Sequence, residues 1–187
     1  MTPRLEEAKQ NKRVVYFIDA SNFVWGAFVG YLWCFARIFM PTPSGRNRYN
    51  VLGAINAITH ELITICNETY INSETICQLL IKIRNSHVAK MPITLILDNA
   101  KYQRCVLVTN LALKLNIELL FLPSYSPNLN QIERLWKWVK KDSLYCTYYE
   151  KFSHFKKAID QSLKKTSTKE GKAELESLLT LNFQLFE

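Results

Sequence analysis

Residues 14–19, VVYFID, and residues 93–98, ITLILD, share one pattern, an apolar run that ends in an aspartate. An apolar run of this length is typical of a strand that is buried on both faces of a sheet. We therefore predict two buried strands, one ending at Asp19 and the other at Asp98. If these strands are neighbours, both carboxylates lie at one edge of the sheet, where open α/β sheets bind ligands.

The pair of aspartates indicates a metal site, although each aspartate alone could be a cap or turn residue at its strand end. Two ionised carboxylates side by side repel each other unless a divalent cation lies between them. Carboxylate oxygens are hard ligands, which favours Mg²⁺ or Mn²⁺.

Strand and helix patterns surround the two runs. Further strands are predicted at 49–58 and 61–66, joined as a hairpin, and at 117–122. Helical spacing follows Asn72 and Asn130 and occurs again within 104–115, 152–163 and 175–179. The segment 104–115 is apolar nearly all round, which predicts a well-buried helix. This order of elements predicts a mixed α/β sheet that is covered by helices.

The composition is that of one globular domain with a polyanionic partner. The chain has 187 residues, 48% of them hydrophobic, a formal charge of +8 and a pI of about 9.3. These values exclude a disordered or collagen-like chain. The five cysteines form no C-x-x-C pair, which favours a reducing compartment. We therefore expect a cytoplasmic protein, which would be associated with the nucleoid if its partner is DNA.

The uncharged segment 20–36 is the one candidate for a membrane anchor. Its 17 residues are at the lower limit for a spanning helix. Its glycines and crowded aromatic residues favour buried strands and a turn, so we expect no membrane association.

Positive charge is concentrated in residues 134–172, which hold eleven basic and four acidic side chains. Five aromatic residues interleave with the lysines: Trp136, Trp138, Tyr145, Tyr148 and Tyr149. A solvated lysine face would explain the charge, but the mixture favours contact with the phosphates and bases of nucleic acid.

Glu133 is a candidate third acid for a two-metal site. Two structural roles compete with this hypothesis. Asn130 and Glu133 have the spacing of a capping box, and Glu133 and Lys137 have that of an i, i+4 ion pair.

Four segments together resemble a known family: Asp19 in its strand, LDNA at 97–100, SGRNRYNVLGAIN at 44–56 and LPSYSPNLNQIERLW at 122–136. The chain resembles the DDE transposases of the mariner-like superclass, in their bacterial insertion-sequence branch. The 34 residues between Asp98 and Glu133 are typical of that group.

The resemblance implies an RNase H-like fold, a five-stranded mixed sheet with helices on both faces. It implies a catalytic domain at residues 13–145, preceded by a linker remnant at 1–12 and followed by a basic helical extension at 146–187 that packs on the domain. It also implies that Asp19, Asp98 and Glu133 are catalytic and hold two Mg²⁺ or Mn²⁺ ions. Asn22, Asn99 and Gln103 are then candidates to support these ligands.

The implied partner is double-stranded DNA, as transposon ends and a TA target, bound by a homodimer. The DNA-binding candidates are seven basic residues: Arg46, Arg48, Lys101, Arg134, Lys137, Lys140 and Lys141. Only about thirteen residues precede the first strand, so we expect a separate helix-turn-helix chain to read the transposon end.

The sequence departs from the family pattern at two positions, since relatives often have histidine where Asn22 and Gln103 stand. Two alternatives therefore remain. The chain could be a truncated, inactive DNA-binding remnant, or another RNase H-like nuclease such as a junction resolvase.

Overall fold

The computed structural model describes residues 1–26, 35–36, 39, 47–123 and 126–181. They contain one sheet of five strands: β1 (Val14–Val24), β2 (Arg48–Asn56), β3 (Leu62–Asn67), β4 (Ile93–Leu97) and β5 (Ile117–Phe121). The strand order is β3-β2-β1-β4-β5. The first three strands pair antiparallel, whereas β4 is parallel to both β1 and β5. The predicted five-stranded mixed sheet is confirmed.

Helices cover both faces of this sheet. The helices α2 (Ser73–Asn85) and α3 (Val106–Lys114) lie on the face to which Tyr16 and Ile18 point. The other face, to which Phe17 and Phe23 point, is covered by four helices: α1 (Thr2–Lys9), α4 (Ile132–Leu144), α5 (Phe152–Lys165) and α6 (Lys169–Leu178). Alternation along β1 therefore builds two separate cores from one strand.

The prediction that the first strand ends at Asp19 is wrong, because β1 continues to Val24. Its parallel pairing with β4 stops where Ile18 lies opposite Leu97, but its antiparallel pairing with β2 continues from Asp19 onwards. The sequence is solidly apolar only where β1 has a strand on both sides. Beyond Asp19 one neighbour is missing and polar residues enter the strand. Asp19 is thus the first residue of β1 beyond the edge of β4.

Two local predictions are confirmed by side-chain hydrogen bonds. The helix predicted after Asn72 is α2, and Asn72 caps it, since its Oδ1 accepts from the backbone N–H of Thr75 at 3.0 Å. The hairpin between β2 and β3 turns at residues 57–61, where Asn56 Oδ1 accepts from the backbone N–H groups of Ile58 and Thr59.

The prediction of a well-buried helix at 104–115 is wrong. Within α3 only Val108 and Ala112 are buried, whereas Val106 is 73%, Leu107 53% and Leu113 78% exposed. The helix packs on α2 and β5 with one face, and no described element covers its outer side. An all-round apolar pattern shows that every face of a helix could be buried. The neighbouring elements determine which faces are in fact buried.

The N-terminal residues 2–9 form α1, which is fastened to the sheet. Leu5 and Ala8 are buried in the core, and Arg4 Nη2 forms a salt bridge of 2.8 Å with Glu118 of β5. Of the segment 20–36, the first five residues belong to β1, and residues 27–34 lie outside the described part of the chain. Among the described helices, none has the length and apolar character needed to cross a bilayer.

Candidate active site

The structure brings Asp19 and Asp98 to the same edge of the sheet. Because β1 and β4 are adjacent and parallel, Ile18 lies opposite Leu97. Asp19 directly follows Ile18, and Asp98 directly follows Leu97. Both side chains are partly buried. Asp19 shares the face of β1 that α4 covers, since Phe17 and Phe23 point to that face and side chains alternate along a strand.

Glu133 contributes a third carboxylate from the first turn of α4. Burial is the largest cause that raises the pKa of Asp19 to about 7, and the carboxylates of Glu133 and Asp98 raise it further. The three acids therefore share one electrostatic environment, in which Asp19 is hard to ionise without a compensating cation.

The three carboxylates do not form a closed cluster. Within the described residues, no three histidine, cysteine or acidic side chains stand close enough together to enclose a metal ion. The oxygen atoms of these acids are nevertheless of the kind that Mg²⁺ and Mn²⁺ prefer.

The capping-box prediction for Asn130 and Glu133 is wrong. The N-cap of α4 is Gln131, and the side chain of Asn130 points to the sheet instead. Asn130 Nδ2 donates to Asp98 Oδ1 at 3.1 Å and to the carbonyl oxygen of Ile18 at 3.3 Å. In the described part of the chain, Glu133 and Lys137 also form no salt bridge. Neither competing structural role for Glu133 is therefore present.

Trp136 is part of the acidic site rather than an aromatic surface for nucleic acid. Its side chain is only 2% exposed, and its indole N–H donates to Asp19 Oδ2 at 3.1 Å. Two other aromatic residues of the predicted surface also have internal partners. Trp138 donates to Glu174 at 2.9 Å, and Tyr149 donates to the carbonyl oxygen of Ser143 at 2.5 Å.

The three predicted supporting residues lie in different places. Asn22 is an odd number of residues after Asp19 in β1, so it points to the opposite face of the sheet. Asn99 is exposed directly after Asp98, and Gln103 is buried in the 3₁₀ turn Lys101–Gln103. Tyr102, which the sequence did not predict as part of the site, lies within the influence of the acids. Burial and the charges of Asp19 and Asp98 raise its pKa.

The DNA-binding candidates fall into three groups. Lys137, Lys140 and Lys141 are exposed on α4. Lys101, in the turn after β4, and Arg48, the first residue of β2, are also exposed. Arg134 instead donates to the carbonyl oxygens of Leu178 and Thr180, which fastens the C-terminal segment to α4. Arg46 lies outside the described residues.

Solved structures share this architecture. The Mos1 transposase catalytic domain with raltegravir and Mn matches with a TM-score of 0.60 and 14% identity, over 100% of this chain and 92% of that chain. The Mos1 transposase paired-end complex with the left transposon end gives 0.61 and 14%, over 96% and 55%. The catalytic core domain of BIV integrase gives 0.51 and 14%, over 83% and 84%. The predicted RNase H-like fold is confirmed.

The sequence defines the class of this domain as an endonuclease. A family model of the DDE superfamily endonucleases matches residues 14–156. This chain belongs to that family. Enzymes of the DDE type use divalent metal ions. No curated protein matches the chain in sequence.

The chain is shorter than the proteins that form assembled complexes. It spans 47% to 61% of the matched chains in the intasome of simian T-cell lymphotropic virus and in three Mos1 complexes. The more specific placement in the bacterial insertion-sequence branch stays a prediction.

Proposed function

We propose that this chain is the catalytic domain of a transposase, which cleaves DNA at transposon ends and joins the ends to a target. One observation supports the proposal: Asp19 and Asp98 lie at one edge of the sheet, and the negative charge of Glu133 acts on Asp19. A buried acid whose pKa is raised by two other acids costs folding free energy, and such sites are typical of function rather than stability.

The chemistry of the site fits two Mg²⁺ or Mn²⁺ ions. Asp19, Asp98 and Glu133 would hold the metal through carboxylate oxygens. When bound, such ions activate a water or a DNA 3′-hydroxyl and stabilise the leaving oxygen of the phosphate. The chain itself would keep the three carboxylates at a fixed spacing around the scissile phosphate.

The substrate of this site is double-stranded DNA in our proposal, as transposon ends and a TA target. Lys137 and Lys140 follow Glu133 at four and seven residues, so the three side chains share one face of α4. Lys101 flanks the site from the turn after Asp98, and Arg48 lies at the start of β2. These cations would hold phosphates beside the acids.

Assembly on DNA requires further parts in this proposal. We propose a homodimer on paired transposon ends, with a helix-turn-helix module that reads the end sequence. The paired-end complex of Mos1, which is similar in structure, supports the pairing of transposon ends. Residues 13–145 would form the catalytic unit, and residues 146–187 its basic extension.

Nicking of supercoiled plasmid tests the activity. The purified chain is expected to nick plasmid with Mn²⁺ or Mg²⁺ and to stop when EDTA is added. Preference for duplex transposon ends over four-way junctions separates a transposase from a junction resolvase. Binding of DNA without metal-dependent nicking, in the presence of either ion, would establish an inactive remnant instead.

Binding of duplex DNA is expected to depend steeply on salt and weakly on sequence, because lysines contact phosphates rather than base edges. The logarithm of affinity should fall by about 0.9 per phosphate contact for each logarithmic unit of salt. Lys137→Gln and Lys140→Gln should each reduce that slope by about 0.9, as measured by fluorescence anisotropy of a labelled duplex.

The matched control is Lys90→Gln, an exposed lysine in the loop that leads into the opposite end of β4. This variant should keep the slope of the unmodified chain. Strong discrimination between two duplex sequences at physiological salt would contradict the phosphate-dominated mode of binding.

A further inference from the structure

We infer that Asn130 and Trp136 are positioning residues, each of which orients one of the two aspartates by a single neutral hydrogen bond. Asn130 donates to Asp98 and Trp136 donates to Asp19. The inference rests on the proposed metal-dependent function, because it concerns how the carboxylates are held for the metal.

Asn130 joins the two central strands at the point where the acids emerge. Its side chain is 1% exposed, and its Nδ2 donates to the carbonyl oxygen of Ile18 in β1 and to the carboxylate that follows β4. Both partners are acceptors, so only the nitrogen of the amide can face them. This one side chain therefore fixes the orientation of Asp98 relative to the strand that carries Asp19.

Trp136 reaches Asp19 because the sheet leaves room for its ring. Gly53 in β2 lies directly opposite Asp19, and a Cβ atom at Gly53 would stand 2.7 Å from Cη2 of the indole. Real Cβ atoms do not approach carbon so closely, so a side chain at position 53 would displace the ring. The absence of a side chain at Gly53 thus allows the indole N–H to reach the carboxylate.

The two donors and the third acid come from one short segment. Asn130 lies two residues before α4, and Glu133 and Trp136 follow it at intervals of three residues, so a single helix end delivers both hydrogen bonds and one carboxylate. Amide and indole N–H groups carry no charge. They can hold one carboxylate oxygen without neutralising the acid, which a lysine or arginine would do in competition with a metal ion.

A purely structural role is the alternative. In that case the two bonds would only fasten α4 to the sheet, and their loss would lower stability without changing how tightly the acids bind metal. Metal affinity and thermal stability therefore have to be measured on the same variants.

The first test is Trp136→Phe, which keeps a large aromatic ring and removes the N–H donor. Its matched control is Trp138→Phe, the same change on the same helix, which removes a hydrogen bond to the exposed Glu174. Calorimetric titration of the purified chain with Mn²⁺ should give a dissociation constant raised by about 10-fold or more for Trp136→Phe, the usual effect of losing a group that orients a metal ligand. Trp138→Phe should bind Mn²⁺ as the unmodified chain does.

The second test is Asn130→Ala, measured beside Val139→Ala. Val139 lies one turn beyond Trp136 on α4 and is buried in the same core as Trp136, so its truncation supplies a loss of stability for comparison. Asn130→Ala should weaken Mn²⁺ binding by about 10-fold or more, whereas Val139→Ala should lower the melting temperature without weakening it. Nicking should recover in Trp136→Phe and Asn130→Ala as the concentration of Mn²⁺ is raised.

The outcomes separate the inference from the proposed function. If the unmodified chain binds Mn²⁺ and both variants bind it equally well, the positioning role is wrong and the metal site stands. If either variant fails to fold, the other decides, because the two bonds act on different aspartates. If the unmodified chain binds no Mn²⁺, the proposed metal site fails, and the positioning role fails with it.

Discussion

Replacing Asp19 with asparagine is expected to abolish DNA cleavage and, in the absence of metal, to stabilise the fold at neutral pH. Asparagine has nearly the same volume, and its amide oxygen can still accept the indole N–H of Trp136. The change removes the negative charge that a divalent ion requires. It also removes a buried carboxylate that Glu133 and Asp98 destabilise. Loss of cleavage together with a gain in stability is the result expected for a carboxylate that binds metal.

The stabilisation has a defined dependence on pH. The pKa of Asp19 rises from an ordinary 3.8 to about 7 in the folded chain. The folded state therefore prefers the protonated acid, so its contribution is fully present below about pH 4 and is lost as the pH rises through about 7. Asparagine does not titrate, so the advantage of Asp19→Asn should grow over this interval, to at most roughly 4 kcal/mol. Urea unfolding in EDTA between pH 5 and pH 8 measures it.

A surface carboxylate supplies the control for both effects. Asp142 on α4 forms a 2.8 Å salt bridge with Lys165, so Asp142→Asn makes the same chemical change away from the acidic edge. This control should keep cleavage and should not gain stability as the pH rises. The metal assignment of Asp19 fails if Asp19→Asn destabilises the chain in EDTA while the folded fraction still cleaves DNA.

The sequence predicts the strands that carry the two aspartates more clearly than it predicts how the surrounding helices pack. All five residues of β4 (93–97) are buried and four of them are apolar because both faces of the strand are covered, so a local pattern reports a global environment. The outer side of α3 shows where this reasoning fails. Leu113 is apolar and yet 78% exposed, because burial depends on which element covers the helix. That information is not local.

The hydrogen bonds of the site could not be predicted from spacing alone. Asn130 has the spacing of a helix cap, but Asp98 lies 32 residues away in sequence and within 3.1 Å in space. Trp136 stands among lysines, which made a DNA-contacting surface a reasonable interpretation, but its partner Asp19 is 117 residues away. In both cases a buried carboxylate offers a stronger acceptor than the local alternative. Only the paired register of β1 and β4 brings these acceptors within reach.

Replacing Glu133 with glutamine is expected to reduce metal-dependent cleavage by orders of magnitude while stability hardly changes. Glu133 has neither of the two structural roles that its spacing allows, a capping box and an ion pair. Asn130 does not cap α4 and, in the described structure, Lys137 forms no salt bridge with Glu133. The remaining structural contribution is the interaction of the carboxylate with the positive end of the helix, worth on the order of 0.5 kcal/mol when exposed. Loss of its repulsion of Asp19 offsets part of this.

Glu170 allows the two contributions of Glu133 to be separated. It is the second residue of α6, as Glu133 is of α4, and it is exposed. Glu170→Gln therefore removes the same charge from the same helical position without touching the acidic edge. Both variants should unfold within about 0.5 kcal/mol of the unmodified chain, but only Glu133→Gln should lose plasmid nicking at saturating Mn²⁺, because a neutral amide is a far poorer ligand than a carboxylate. Equal nicking by the two variants would mean that Glu133 serves only its helix, and the site would then have two acids rather than three.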